Sequence, residues 1–407
     1  MIRSSKHSIK FTNQHKLDEL KIFIQEYRTM VKKYINIIWN EYLNDPPSTL
    51  DNNICKLIET RVNNDSRIRQ CAAKQACSMA KAIIAKQNKR KYKLSQLMKE
   101  GKNTKYLQRK IDNFVLTKPK FDNINIELDS RFIDFELTDN HFNMFVKIKQ
   151  IGNKREIKIP IKFTFTSNKW NKLGQIKNSI RLNGNNLTLY FDVREKENNG
   201  KKIIGADQGQ ITCLSLSDGQ TTIKDKDGYD LNKIQDILSR RKRGSKGFRR
   251  AQSHRKNYIN WSLNQLNFDD VKELKFEKIL NIRKGKRSSR KLSHWTYTLI
   301  KSKLIRLSED KGFIFTEQDN KFMSQRCSEC GWTHKSNRKG KTFICTNTNC
   351  NNVMDSDINA ASNHEVGLIE LPLSIWQGHI NRSTGFYWLS DRYVLGKEII
   401  VPCVKKE

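Results

Sequence analysis

No stretch of this 407-residue chain approaches the run of about 20 apolar residues that a membrane-spanning helix needs. The opening MIRSSKHSIKF lacks the apolar centre of a secretory leader, so a protein of the cytoplasm or nucleoid is expected. The nine cysteines are odd in number, and Cys55, Cys71, Cys77, Cys213 and Cys403 are scattered, which argues against a disulfide scaffold. Internal repeats and long low-complexity segments are missing. Acidic residues are scarce: Asp and Glu number 42 against 77 Lys and Arg, a formal net charge of +35. An excess of this size repels itself in a compact chain unless a polyanion neutralises it. DNA or RNA is the expected partner, because each phosphate contact releases a counterion; an anionic membrane surface is the alternative.

Period and composition divide the chain. HSIKFT at 7–12 alternates like a short strand. From 15 to about 115 the texture is helical, with Leu20, Phe23, Ile24, Tyr27, Met30, Val31 and Tyr34 on one stripe and Ala76, Met79, Ala80, Ile83 and Ile84 on another. Between 116 and 200 the period falls to two in INIELDSRFIDFEL, FVKIKQIG, REIKIPIKFTFT and LTLYFDV, which predicts a small antiparallel β domain. The early strand is expected to join it, which makes the helical block an insertion. Beyond residue 201, KKIIGADQGQITCLSLSDGQTTI predicts three short strands with a turn at Asp218-Gly219. A basic linker or helix (239–256), a strand (271–279), a basic loop, a helix near 295–311 and the strand FIFTEQ follow. The tail from 366 to 407 shows no clear period.

Two groups of residues carry candidate chemistry. Cys327-x2-Cys330 and Cys345-x4-Cys350, 14 residues apart, can present four thiolates as a tetrahedron, the closed geometry of one structural zinc ion. Four thiolates leave no open position, so the metal would fold a small basic finger (His334, Lys335, Arg338, Lys339, Lys341) rather than catalyse. The second group is acidic. Asp207 ends an apolar strand, Glu277 lies in a β-like run, and Asp355 and Asp357 precede the helical INAASN. Taken singly, these read as a turn Asp, a surface Glu and helix caps.

As an ordered set, GADQG, FEKILNIR, SQRCSECG, the C-x4-C pair and DSDINAASN resemble the TnpB family of transposon-associated RNA-guided nucleases, whose relatives include the Fanzor proteins and the miniature type V CRISPR effectors. The likeness is strong over 201–364 and weak over the N-terminal half. It implies an α+β multidomain fold: first wedge strands (1–14), a helical recognition domain (15–115) inserted in a small antiparallel β-barrel wedge domain (116–200), then an RNase H-like RuvC nuclease domain (201–326). A zinc ribbon inserted at 327–352, the last RuvC motif helix at 353–365 and a tail at 366–407 complete it. The resemblance implies Asp207, Glu277 and Asp357 as catalytic acids holding two Mg²⁺ ions, with Glu273 in reserve for the middle position. Ile279, Gln208 and Ser356 depart from the family pattern. Guide RNA and target double-stranded DNA are the implied partners. Arg240, Arg241, Lys242, Arg243, Lys246, Arg249, Arg250, Arg287 and Arg290 would line their channel, and Phe248 and His254 would stack on bases. A chain that works as monomer or homodimer is expected, nuclear in a eukaryotic host. The alternative function is an RNA-guided DNA-binding regulator with little or no nuclease activity.

Overall fold

The computed structural model describes residues 1–57, 66–101, 103–149, 156–279, 290–372, 374–375 and 380–396. Two compact units divide the chain between Arg194 and Glu195. No helix among the described residues is long and apolar enough to cross a membrane.

The first unit begins with β1 (Ile2–Ser8), earlier than the alternating residues 7–12 suggest. Helices α1 (Gln14–Glu41), α2 (Asn52–Lys56), α3 (Ser66–Lys99) and α4 (Lys105–Asp112) follow. All seven stripe residues of α1 are buried. The chain then returns to β structure: β2 (Ile126–Asp129), β3 (Ile133–Leu137), β4 (Met144–Lys149), β5 (Glu156–Ile161), helix α5 (Phe165–Leu173), β6 (Gly174–Leu182) and β7 (Asn186–Val193). Antiparallel pairing gives a four-stranded sheet, β1-β7-β6-β2, and a three-stranded one, β3-β4-β5. The helical block is therefore inserted between two strands of one sheet. The run INIELDSRFIDFEL splits between the sheets, because Asp129 turns the chain by accepting from the Arg131 amide at 3.1 Å. KFTFT does not continue as a strand. Thr164 and Ser167 form a reciprocal capping box that starts α5. β6 has no clean alternation because its register with β7 shifts between Ile176 and Ile180.

The second unit is built on a mixed sheet. Its strands are β8 (Lys202–Asp207), β9 (Ser215–Leu216), β10 (Val271–Lys278) and β11 (Ile314–Asp319), in the order β11-β10-β8-β9. β10 runs parallel to both β8 and β11, while β9 is antiparallel to β8. Instead of a third strand after β9, Thr221 makes a single bridge to Ser215. α6 (Leu231–Arg240), α7 (Lys246–Asn264) and α8 (Tyr297–Lys311) pack Ile234, Leu238, Ile259, Leu263, Ile300 and Leu304 into the core with Leu274 and Phe276. The basic segment at 239–256 is thus largely helix, with Ser245 capping α7. A bulge between Val271 and Glu273 explains why β10 looks interrupted, and Lys275 donates to the Glu365 carbonyl at 3.0 Å.

The cysteine segment supplies β12 (Trp332–Thr333), β13 (Arg338–Lys339), β14 (Thr342–Ile344) and β15 (Val353–Asp355), and β15 runs straight into α9 (Ser356–Glu365). The aperiodic tail holds a hairpin, β16 (Phe386–Trp388) and β17 (Tyr393–Leu395), which extends β12 into a sheet. Its residues are too few per strand for alternation to register.

Candidate functional site

The geometry begins with the close approach of α9 to β8. A methyl group added to Gly205 would stand 1.9 Å from the Ala361 carbonyl oxygen. Only a glycine lets the helix backbone lie this near the strand, and the buried Ala360 and Ala361 keep that face of the helix thin. On the same helix Asn359 donates to the Arg326 carbonyl at 2.8 Å, and Asn363 donates to the carbonyls of Met323 and Arg326 at 2.8 and 2.7 Å. The two amides sit one turn apart and clamp the chain entering the first cysteine pair. This gives the N-A-A-x-N pattern a structural purpose.

Asp207 ends β8, and Ala206 pairs with Phe276. Asp207 and Glu277 therefore emerge side by side at the carboxyl ends of adjacent parallel strands, the position at which open α/β sheets build their sites. Glu277 accepts from the Gln208 amide at 2.8 Å and from the Asn320 side chain at 3.5 Å. Glu273 lies four residues back along β10, about 13 Å at strand rise, where it accepts from Thr316 at 2.8 Å. Asp355 caps α9 by accepting from the amides of Asp357 and Ile358 at 2.8 and 3.2 Å. Asp357, in the first turn, is left to face the site. Its carboxylate pairs with Lys341, which also donates to Thr212 at 3.1 Å, and with Arg338 at 3.6 Å. Both cations come from the β13–β14 hairpin of the finger. The finger thus both leads into α9 and contacts the carboxylate that α9 carries.

Electrostatics register the crowding. Burial, then the charges of Glu277 and Asp357, push Asp207 well above the ordinary carboxylate range. Burial pushes Glu277 up to about 7, with the Gln208 and Asn320 hydrogen bonds opposing it. Buried like charges cannot all ionise unless cations compensate them. An oxygen-rich cluster of this kind suits hard divalent ions such as Mg²⁺.

Four residues of the site were not anticipated as part of it. In the sequence Lys341 and Arg338 read only as members of a small basic finger. Arg326, fully sequestered, donates to the carbonyls of Trp388 and Cys327 at 2.8 and 3.2 Å and to Asn363; burial lowers it to about 10. His364 is the fourth. A ring nitrogen of His364 and carboxylate oxygens of Asp207 and Glu277 all lie within 4.8 Å of one another. Burial lowers the His364 imidazole to about 4. Its spacing of seven from Asp357, two turns of one helix face, was the signal available.

The four cysteine sulfurs also converge within 4.8 Å. Cys327–Cys350 and Cys330–Cys345 stand at 3.8 and 3.7 Å. These separations match the edge of a tetrahedron with ~2.3 Å zinc–sulfur bonds, about 3.8 Å, and are far too long for disulfides. Side-chain amides of Asn352 and Asn347 reach Cys327 and Cys330 at 3.5 and 3.6 Å. Left-handed Gly331 and Asn351 close the two turns, the second accommodating the longer C-x4-C spacing. The donor set fits one structural zinc ion.

Of the basic residues, Arg240, Arg241, Lys242, Arg243, Lys246, Arg249, Arg250 and Arg290 are all exposed around the α6–α7 turn. Arg287 lies outside the described residues. Phe248 does not present a stacking face. It is buried in the core against His294, with ring centres 5.6 Å apart, because it lies on the inner face of α7. His254 is held by Asp225 at 3.5 Å and by the edge of Tyr229.

Comparison with known proteins adds three findings. The family model of a Cas12f1-like TNB domain matches residues 297–364. The CRISPR-associated endodeoxyribonuclease Cas12f1 of Sulfoacidibacillus thermotolerans is 32% identical over 116 residues, 28% of this chain; the match spans about a quarter (26%) of that relative's length. Two solved structures share the fold: the mini-RNA-guided endonuclease CRISPR-Cas_phi3 (TM-score 0.56, 10% identity, 90% of this chain and 92% of that one), and CasPhi-2 (Cas12j) bound to crRNA and phosphorothioate-DNA (TM-score 0.54, 8% identity, 90% and 91%).

Proposed function

We propose that this protein is an RNA-guided DNA endonuclease of the TnpB and miniature type V effector kind, which binds a guide RNA, recognises a short target-adjacent motif and hydrolyses DNA phosphodiesters in a RuvC-like site. The observation that carries the reading is the meeting of Asp207 and Glu277 on adjacent strand ends, with Asp357 entering from α9. In this reading the three acids hold divalent ions, which when bound supply an activated water and neutralise the leaving oxygen. The protein's own groups do the rest. The Gln208 amide fixes the orientation of Glu277, and Asp355 fixes the start of α9 and hence Asp357. Arg338 and Lys341 pair with Asp357 and can exchange it for a phosphate of the substrate.

The likeness to a named endodeoxyribonuclease and to nucleic-acid-bound effectors supports guide RNA and target DNA as partners. So does the exposed basic surface. Lys246, Arg249 and Arg250 sit in the first turns of α7, where the helix dipole disfavours cations, so an anion lying there is favoured twice. A helical recognition block, a wedge β domain and a RuvC half with an inserted zinc ribbon is the corresponding division of labour.

The test is purified protein with the RNA that co-purifies with it, a matching DNA target and Mg²⁺. Asp207→Asn and Asp357→Asn are each expected to abolish cleavage while RNA-guided DNA binding persists. Target binding by the unaltered protein without any cleavage would overturn the nuclease reading in favour of a guide-directed regulator.

A further inference from the structure

His364 is fully buried, and neither of its ring nitrogens has a hydrogen-bond partner among the described residues. Burying an unpaired polar group costs about 1–3 kcal/mol, so two such atoms on one side chain call for a physical reason. The surroundings supply one. The ring is not lost in an apolar core but stands with the carboxylates of Asp207 and Glu277, all within 4.8 Å. It is held there because the last turn of α9 lies against Gly205, two residues before Asp207; a methyl group on Gly205 would meet the Glu365 amide at 2.6 Å. Donor atoms around a single divalent ion at ~2.1 Å stand roughly 3–4 Å apart, so small side-chain adjustments close this triangle on one ion. Imidazole nitrogen is a poor partner for Mg²⁺ but a good one for first-row transition ions.

We propose that His364 is a metal ligand, completing with Asp207 and Glu277 a mixed oxygen–nitrogen position that prefers Mn²⁺ and later transition ions to Mg²⁺. The innermost position of the acidic site then differs in kind from an all-carboxylate site. Asp357, drawn toward Arg338 and Lys341, is left to serve a second, oxygen-only position. The inference deepens the nuclease reading but is testable without it.

The experiment takes the full-length protein with its zinc retained and Mg²⁺ removed, and titrates it with Mn²⁺ alone under electron paramagnetic resonance. The bound ion is expected to show nitrogen modulation from one imidazole. His364→Asn, which keeps a polar side chain but offers oxygen, is expected to lose that modulation. Its Mn²⁺ affinity should fall by about tenfold or more, while Mg²⁺ affinity, measured by competition, changes far less. Should the asparagine variant fail to fold, His364→Leu is the substitute; it removes the unpaired polar atoms and carries the same expectation. A bound ion without nitrogen coupling, coupling that persists in the variants, or equal weakening of both metals would overturn the assignment. Nitrogen coupling in a protein that never cuts DNA would leave the site standing and sink the nuclease reading. Cleavage without coupling would do the reverse.

Discussion

Replacing Glu277 by glutamine should make the Mg²⁺-free protein more stable, and only above a definite pH. Glu277 sits beside Asp207, and burial raises it from 4.5 to about 7. The native state therefore favours its protonated form. The associated stability is fully present below pH 4.5 and is lost as pH rises through about 7. At about 1.4 kcal/mol per pH unit, the interval corresponds to on the order of 3 kcal/mol. Glutamine keeps an oxygen that accepts the Gln208 amide at the same place but never ionises. Glu277→Gln should thus exceed the unaltered protein by about 3 kcal/mol at pH 8 and match it near pH 4.5. Relief of Asp207, which Glu277 also pushes up, acts in the same direction. Urea unfolding at both pH values, with zinc retained and Mg²⁺ absent, measures the difference. Added Mg²⁺ should stabilise the unaltered protein at pH 8 and the variant much less. No gain at pH 8, or a gain that persists unchanged to pH 4.5, would refute the idea that Glu277 is a crowded buried anion.

Two other perturbations probe the scaffold. Cys330→Ser should lower bound zinc, measured by elemental analysis, from one ion per chain to a small fraction, because three thiolates leave the tetrahedron open; full retention would contradict the ligand set. Gly205→Ala should cost about 1–3 kcal/mol in chemical unfolding, because its methyl group meets backbone carbonyl rather than a movable side chain; a neutral result would refute the close approach of α9 to β8.

Much of this arrangement was legible in the residues, for reasons that differ from place to place. The stripe of α1 shows because a long helix repeats its buried face many times, from Leu20 to Tyr34. The four sulfurs show because a chelating turn needs a short fixed spacing. Asp207 and Glu277, 70 residues apart in the chain, were reached by resemblance; nothing local marks a turn Asp and a strand Glu as neighbours. What stayed hidden depends on tertiary placement. β6 lost its alternation to a register shift, and β16 and β17 are three residues each. Phe248 reads as an exposed aromatic in a basic run until α7 turns it inward. His364 reads as an ordinary polar residue near a helix end, since only the approach of α9 to Gly205 brings it to the acids.

Arg326 has a bearing on how metal dependence is to be read. One guanidinium ties the first knuckle of the finger, helix α9 and the strand of the tail at Trp388. Loss of an ion held by the four sulfurs would loosen all three together and displace Asp357 without removing any metal from the acidic site. If the proposed nuclease reading holds, a chelator such as EDTA would therefore silence the protein by two unrelated routes. Restoring Mg²⁺ alone would then fail to revive it, and that failure would say nothing about which ion performs the chemistry.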